Sequence, residues 1–395
     1  MSGSIILFIA GLAIFMLLGT DGSAADRSLR GYIQEMPLLW ESSPLLGTGH
    51  EWRFDSQTLA RQNLRCYPHP RITIAVECDE RLLIGESARL MQQTSDAYRF
   101  EEPYFRWRRS LLDKQNAVLE AEIDRLWITG YHGDLEVTIG RQRIAWGTAL
   151  VWNPIDLFNP SSPLDFAGIE KPGADGLRAQ YYLGAASRIE IAGVLRRPEE
   201  HSIAAAQLVL NRWEYDWHLL GGRQAEEWVA GLAWAGHIRG GGFRGELLGR
   251  FPSEEPAGPD GDDPSTDAAL TAVLSGDYTF HSSLYLHGEA LYESRGTTGD
   301  AGGTHLVKAL QEGRQTPARW SVFAEIARQL HPLVYAGLSG ILNPADLSWY
   351  AGPSVTWNAL TNLDVILTGQ LFGGSSGTEF GDSGAILLAQ GKWSW

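Results

Sequence analysis

The 395-residue chain is short of most features that assign a protein to a common class. It has two cysteines, Cys66 and Cys78. With a turn expected at Pro68-His69-Pro70, Cys66 falls near the turn and Cys78 several rungs along the next strand. Disulfide Cα atoms must approach within roughly 7 Å, so two free thiols are expected. Their spacing fits no metal motif, and neither a metal nor a cofactor is expected. The chain lacks a basic patch and carries a net charge of −15. That balance excludes a nucleic-acid binder and argues against attachment to anionic lipid by surface charge. There is no Walker loop and no His-Glu-x-x-His. Ten histidines are scattered. His287 beside Glu289 on one strand face reads as a solvated pair, and no catalytic residue is expected. After residue 18 no apolar run is long enough to cross a membrane as a helix.

Residues 1–25 stand apart. Ile5 to Leu18 is almost unbroken apolar sequence, followed by small residues ending at Ala24-Ala25. That pattern predicts a secretory signal peptide, although its start has no Lys or Arg. An N-terminal membrane anchor is the alternative, for which the run is short.

What the chain does have is alternation. Ile72, Ile74, Val76 and Cys78 share one face, and Thr73, Glu77, Asp79 and Arg81 the other. Leu119, Ala121 and Ile123 oppose Glu120, Glu122 and Asp124. Leu284, Leu286 and Ala290 oppose His287 and Glu289. Such period-2 runs predict strands with unlike faces. About 18 of them fit between residues 26 and 395, with 16 as the alternative count; in 204–226 two strands compete with one bent one. Alternate joins are tight, at 68–70, 130–133, 184–186, 212–213, 239–240, 280–281, 331 and 358–360. The intervening joins include the long ones at 40–55, 84–116, 146–173, 252–267, 295–317 and 374–383. Aromatics near strand ends, as at Trp127, Tyr131, Tyr278, Trp349 and Trp357, suit an interfacial girdle. These features favour an all-β fold, a transmembrane antiparallel up-and-down barrel with short periplasmic turns and long extracellular loops. A soluble sandwich would also alternate. In a barrel the two thiols would face lipid.

Residues 135–160 organise the rest. A strand ends in Ile139-Gly140-Arg141-Gln142-Arg143 and feeds Trp146-Gly147, then Trp152-Asn153-Pro154-Ile155-Asp156-Leu157-Phe158-Asn159-Pro160. This pattern resembles the porins of Gram-negative outer membranes, in which a strand ending in Gly-Arg leads into a long loop folded into the barrel. The last strand, ending at Trp395, resembles the assembly signal of outer-membrane proteins. The resemblance implies an outer-membrane location and passive diffusion of a small polar solute or ion. It implies outer-membrane lipids and lipopolysaccharide as neighbours, no nucleic acid, and a homotrimer or other membrane complex as a further option.

The loop 146–173 has few charges and many aromatics, so Trp146, Trp152, Phe158 and Phe166 need a place to bury. Trp152, Asn153, Asp156 and Phe158 are its candidate constriction residues. Arg141 and Arg143 fall in phase with Val137 and Ile139, towards lipid, at a cost of roughly 2–4 kcal/mol at mid-depth. A bulge at Gly140 would turn them inward; snorkelling to outer headgroups is the alternative. Inward arginines would meet Arg61 and Arg65 of the second strand, Glu77 and Asp79 of the third, and Glu120, Glu122 and Asp124 of the fourth. These charges could set a transverse field across a pore or simply bridge and stiffen the wall. Arg106, Arg108 and Arg109 among Tyr104, Phe105 and Trp107 could stack sugars or pack over the mouth. The acidic run from Glu254 to Asp263 reads as a solvated loop. A non-conducting scaffold barrel that binds a partner or polysaccharide is the second reading, and a lipid hydrolase the third.

Overall fold

The computed structural model describes residues 26–41, 51–86, 88, 92, 102–159, 170–253 and 267–395. The expected signal peptide, Phe166 and the run Glu254–Asp263 lie outside them. Eighteen strands form one closed antiparallel barrel. The first six are β1 (Asp26–Glu41), β2 (Trp52–His69), β3 (Ile72–Gly85), β4 (Ala117–His132), β5 (Leu135–Gln142) and β6 (Ala174–Tyr182). β7 (Arg188–Val194), β8 (Ile203–Arg212), β9 (Tyr215–Gln224), β10 (Glu227–Ile238), β11 (Gly241–Pro252) and β12 (Ala269–Thr279) follow. β13 (Leu284–Glu293), β14 (Trp320–His331), β15 (Val334–Leu342), β16 (Trp349–Leu360), β17 (Leu363–Gly373) and β18 (Ile386–Ser394) complete the wall. Each strand pairs with the next, and β18 pairs with β1 from Tyr32↔Ser394 to Trp40↔Ile386. Residues 204–226 form two strands, turning at Trp213 and Glu214 with φ of 57° and 62°. Positive φ at both central residues matches the right-handed twist of the flanking strands.

The barrel is inside-out relative to a soluble protein. Ile139, Ile191, Leu195, Leu274 and Leu367 are exposed on the outer face. Gln34, Arg61, Glu77, Glu190, Glu246 and Glu289 are buried on the inner one. A sandwich in water would put the apolar row on a core; only a lipid-facing wall stabilises this arrangement. The closing seam needs one glycine. Gly31 and Trp395 exchange backbone hydrogen bonds of 3.2 and 3.0 Å, and a Cβ on Gly31 would strike the Trp395 indole. Cys66 pairs with Ile74 and Cys78 with Gln62, four positions apart on the outward row, and both thiols are free.

β4 departs from simple alternation. Glu77 pairs with Arg125 and Cys78 with Ile123, leaving Asp124 as a bulge. The bulge turns Asp124 and Arg125 both inward and shifts the phase beyond them. Trp127 therefore joins the inward row with the buried Thr129, rather than the girdle expected from its position near a strand end.

β5 and β6 are short at their extracellular ends, because the chain leaves the wall at Gln142 and returns at Ala174. This opens a notch beside β4, which continues upward to Ala117. The chain fills it from elsewhere. The strand Arg108–Lys114 pairs with β4 where β5 is missing, from Arg108↔Glu122 to Lys114↔Ala117. Residues 102–103 pair with 196–197 above β7. Residues 104–107 span the gap between these ladders, and Ile123 N–H donates to Trp107 O at 3.2 Å. The upper edge of β4 is thereby paired, as hydrocarbon requires of a lipid-facing edge.

Candidate functional site: a luminal loop latched by wall carboxylates

Leaving β5, the chain packs against the inward faces of the wall. Ile144, Trp146, Ile155, Leu157 and Phe158 form one buried cluster with small and aliphatic residues of β6 to β11. Trp146 meets Phe158 edge to face, with ring centroids 4.8 Å apart. Trp152 packs in a second cluster with Val273, Leu291, Phe323 and Tyr350 of β12 to β16. Many inward positions there are apolar, and the apolar side chains of the loop pack on them.

A loop without regular structure leaves amides unpaired, and buried amides need acceptors. Two wall carboxylates, Glu246 and Glu289, supply them, and a third, Glu190, holds an indole N–H. Glu246 of β11 accepts from Thr148 N–H at 2.5 Å, Ala149 N–H at 2.9 Å and Ile155 N–H at 3.2 Å. Glu289 of β13 accepts from Leu150, Val151 and Trp152 N–H at 3.2, 3.3 and 2.7 Å. Glu190 of β7 accepts from Trp146 Nε1 at 2.7 Å and is flanked by Arg178 and Arg188. Charge-assisted bonds of this kind are roughly twice as strong as neutral ones. Arg196 donates to Phe158 O at 2.9 Å and Asn159 to Ile144 O at 2.5 Å, closing the loop on itself.

His287 and Glu289 are therefore not a solvated pair. Both are buried because the loop lies over them, with His287 Nε2 at 3.1 Å from Ser275 Oγ and 3.5 Å from Glu289. Ser275 is inward-facing and buried, out of reach of any lipid ester. Gly373-Gly374-Ser375-Ser376-Gly377 matches the string of a hydrolase elbow, but it runs from β17 into a loop with no helix behind it.

The loop's tip, Asn153 and Asp156, faces Arg250, Thr271, Glu293 and Arg314 across a polar gap of about 20 Å³, single-water size. Asp156 pairs with Lys171 at 2.8 Å. Burial holds its carboxyl above the usual range, against the pull of that lysine. Arg143 is exposed at the start of the loop.

Arg141 follows a different course from the one expected. The ladder passes through Gly140 without a register shift, although its φ is +117°. Arg141 keeps the outward phase and lies buried in the notch. It donates to Asp124 O at 3.1 Å, Phe105 O at 3.2 Å and Glu122 at 2.9 Å. Asp175, its ladder partner, accepts from Phe105 N–H at 3.0 Å. The pair rivets residues 104–107 into the wall, and their covering replaces the lipid that this arginine would otherwise face.

The remaining predicted charges collect on β2, β3 and β4. Arg61, 1% exposed, meets Glu77 at 2.5 Å, Asp79 at 2.8 Å, Asp124 at 2.8 Å and Glu170 at 3.4 Å. Arg125 adds Glu77 at 3.4 Å and Glu170 at 3.0 Å. Asp124 also accepts from Gly173 N–H at 2.9 Å, so the returning limb of the loop is tied here. Glu120 lies with Gln92 and Arg108, and Arg65 is exposed nearer the periplasmic turn. Arg61 thus bridges to neighbouring strands directly. Glu190, Glu246 and Arg125 are not singled out by the sequence, and Glu289 only beside His287 on one strand face. The signal of the three glutamates is their inward phase; Arg125 has none, because the bulge reverses its phase.

Extracellular loops interlock on the far side. The loop 294–319 carries helix α1 (Thr304–Gln311). Gly302 N–H donates to Gly377 O at 3.0 Å, and Asp346 accepts from Ala301 and Glu379 N–H. Burial, then the nearby Asp346, pushes the Glu379 carboxyl up to about 8. A raised carboxyl stabilises the docked loop in its neutral form. That contribution is full below the ordinary value near 4.5 and is lost as pH rises through about 8. Protease protection of 374–385 should fall over that window, and Glu379→Gln should make it flat. A wild-type profile without slope would remove this role from Glu379.

No family model matches the chain, and no curated protein matches it. Solved structures do. The outer membrane protein OprD of Pseudomonas aeruginosa superposes with a TM-score of 0.60 at 9% identity, over 95% of each chain. OccAB3 of Acinetobacter baumannii gives 0.59 at 8% identity, covering 94% of this chain and 99% of that one. OccK1 (OpdK) of P. aeruginosa gives 0.57 at 10%, covering 94% and 99%. The fold is the one these barrels share. At such identities the likeness speaks for the backbone, and the latching residues above are argued from this chain alone.

Proposed function

We propose that the chain is an outer-membrane channel for passive diffusion of small polar solutes or ions, constricted by its luminal loop. The observation that carries the reading is the latch of Glu190, Glu246 and Glu289 on residues 146–155 inside a lipid-facing barrel. A barrel kept only as a scaffold has no need to hold a loop across its interior by charged bonds. The shared fold with outer-membrane proteins supports the same location. In this reading Arg143, Asn153 and Asp156 border the passage. Arg141 and Arg61 act from within the wall, by setting where the loop leaves and returns. The Arg61 cluster has two arginines against four carboxylates, Glu77, Asp79, Asp124 and Glu170, so the local field favours cations.

Purified protein in planar bilayers should give discrete conductance steps with a cation preference, and Arg143→Ala should increase that preference. Absence of steps from folded, heat-modifiable protein would put the scaffold reading ahead. Removal of residues 1–25 on export is part of this proposal.

A further inference from the structure

We propose that the outer wall at β5 to β9 carries a groove for an acyl chain of a phosphorylated outer-leaflet glycolipid, whose phosphate is held by Arg223. The groove encloses about 850 Å³, within the range of specific ligand sites. Its floor is made of small residues. Gly193 and Ala204 pair with each other and continue the outward row Leu177↔Gly193↔Ala204↔Arg223. A Cβ on Gly193 would meet only Ile203 O, at 3.7 Å, so the floor is open to the outside. Exposed Leu177, Leu195 and Ile139 stand as its sides. Phe105 and Trp107, on the segment riveted by Arg141 and Asp175, form its extracellular end.

The occupant follows from position and chemistry. The groove opens on the lipid-facing wall and its lining is mainly apolar, which fits a hydrocarbon chain. Its polar groups gather at the extracellular end. Arg223 is exposed at the end of β9, opposite exposed Trp228, a side chain typical of the headgroup level. Its Nε donates to Ala225 O at 3.0 Å, which fixes the guanidinium stem beside the groove. Glu199 also lines the groove, which leaves Arg223 as its exposed cation for an anionic headgroup. An acyl chain lying in the groove with its phosphate on Arg223 is therefore oriented as in the outer leaflet, where the phosphorylated lipid is the glycolipid.

This inference rests on the outer-membrane reading, and its test separates the two. The protein is extracted from outer membranes, delipidated by detergent exchange, and weighed intact by native mass spectrometry for bound lipid A. Wild type should retain one lipid A per barrel. Arg223→Ala should lower occupancy about tenfold, the loss of one charge-assisted hydrogen bond. Gly193→Leu, which fills the floor, should abolish it. Ala389→Leu, on the outward row of β18 across the barrel, should change nothing. Both groove variants should keep wild-type conductance, so a barrel that conducts but holds no lipid overturns this inference alone. Retention of phosphatidylglycerol in place of lipid A, or equal loss in Ala389→Leu, would also overturn it.

Discussion

Replacing Glu246 and Glu289 together by alanine should raise single-channel conductance severalfold and make the steps noisy. Each carboxylate holds three backbone amides of the luminal loop. A buried donor left without its acceptor costs about 1–3 kcal/mol. With several donors stranded at once, the loop is better solvated than docked, although Trp146 and Trp152 lose their burial. The wall itself should survive, since neither carboxylate takes part in a strand ladder through its side chain. Heat-modifiable migration separates assembly from gating. Unchanged conductance in the assembled double variant would show that the latch does not set the passage.

Arg61→Leu should have the largest effect on assembly. Arg61 is almost fully buried and is the common partner of Glu77, Asp79 and Asp124. Breaking a buried ion cluster by removing one partner costs roughly 3–5 kcal/mol, because uncompensated charge stays behind. Mature barrel should be scarce or should unfold at a lower temperature in detergent. Arg61→Leu combined with Glu77→Leu and Asp124→Leu should recover part of the loss, as an apolar replacement of the cluster leaves less stranded charge. If the triple variant is worse than the single one, the carboxylates have roles beyond pairing with Arg61.

Most of the wall was legible in the sequence. Period-2 alternation located the strands, and the parity of short and long joins ordered them, because adjacent antiparallel strands with tight turns leave few other topologies. The burial of Trp146, Trp152 and Phe158 could be argued from composition alone. Their acceptors could not. An inward glutamate looks alike on every strand, and only cross-strand register shows that Glu246 and Glu289 lie beneath the same loop. The bulge at Asp124 was hidden for a related reason: one unpaired residue reverses the phase of all that follow, so Arg125 and Trp127 face the lumen. Arg141 was read as needing an inward bend at Gly140. Its actual relief is a segment some 36 residues earlier in the chain, joined by the Arg141–Phe105 hydrogen bond, a contact no local pattern encodes.

The notch beside β4 ties two distant parts of the chain into one inheritance. The wall is short there because residues 143–159 enter the lumen, and the gap is filled because 102–103 and 108–114 take up ladder positions beside it. A lineage that trims the first segment back into regular strands would leave Arg108–Lys114 with nowhere to pair. One that trims the second would expose the upper edge of β4 to hydrocarbon. Insertions and deletions in the two must therefore travel together, and the pore's width changes by exchange of both segments.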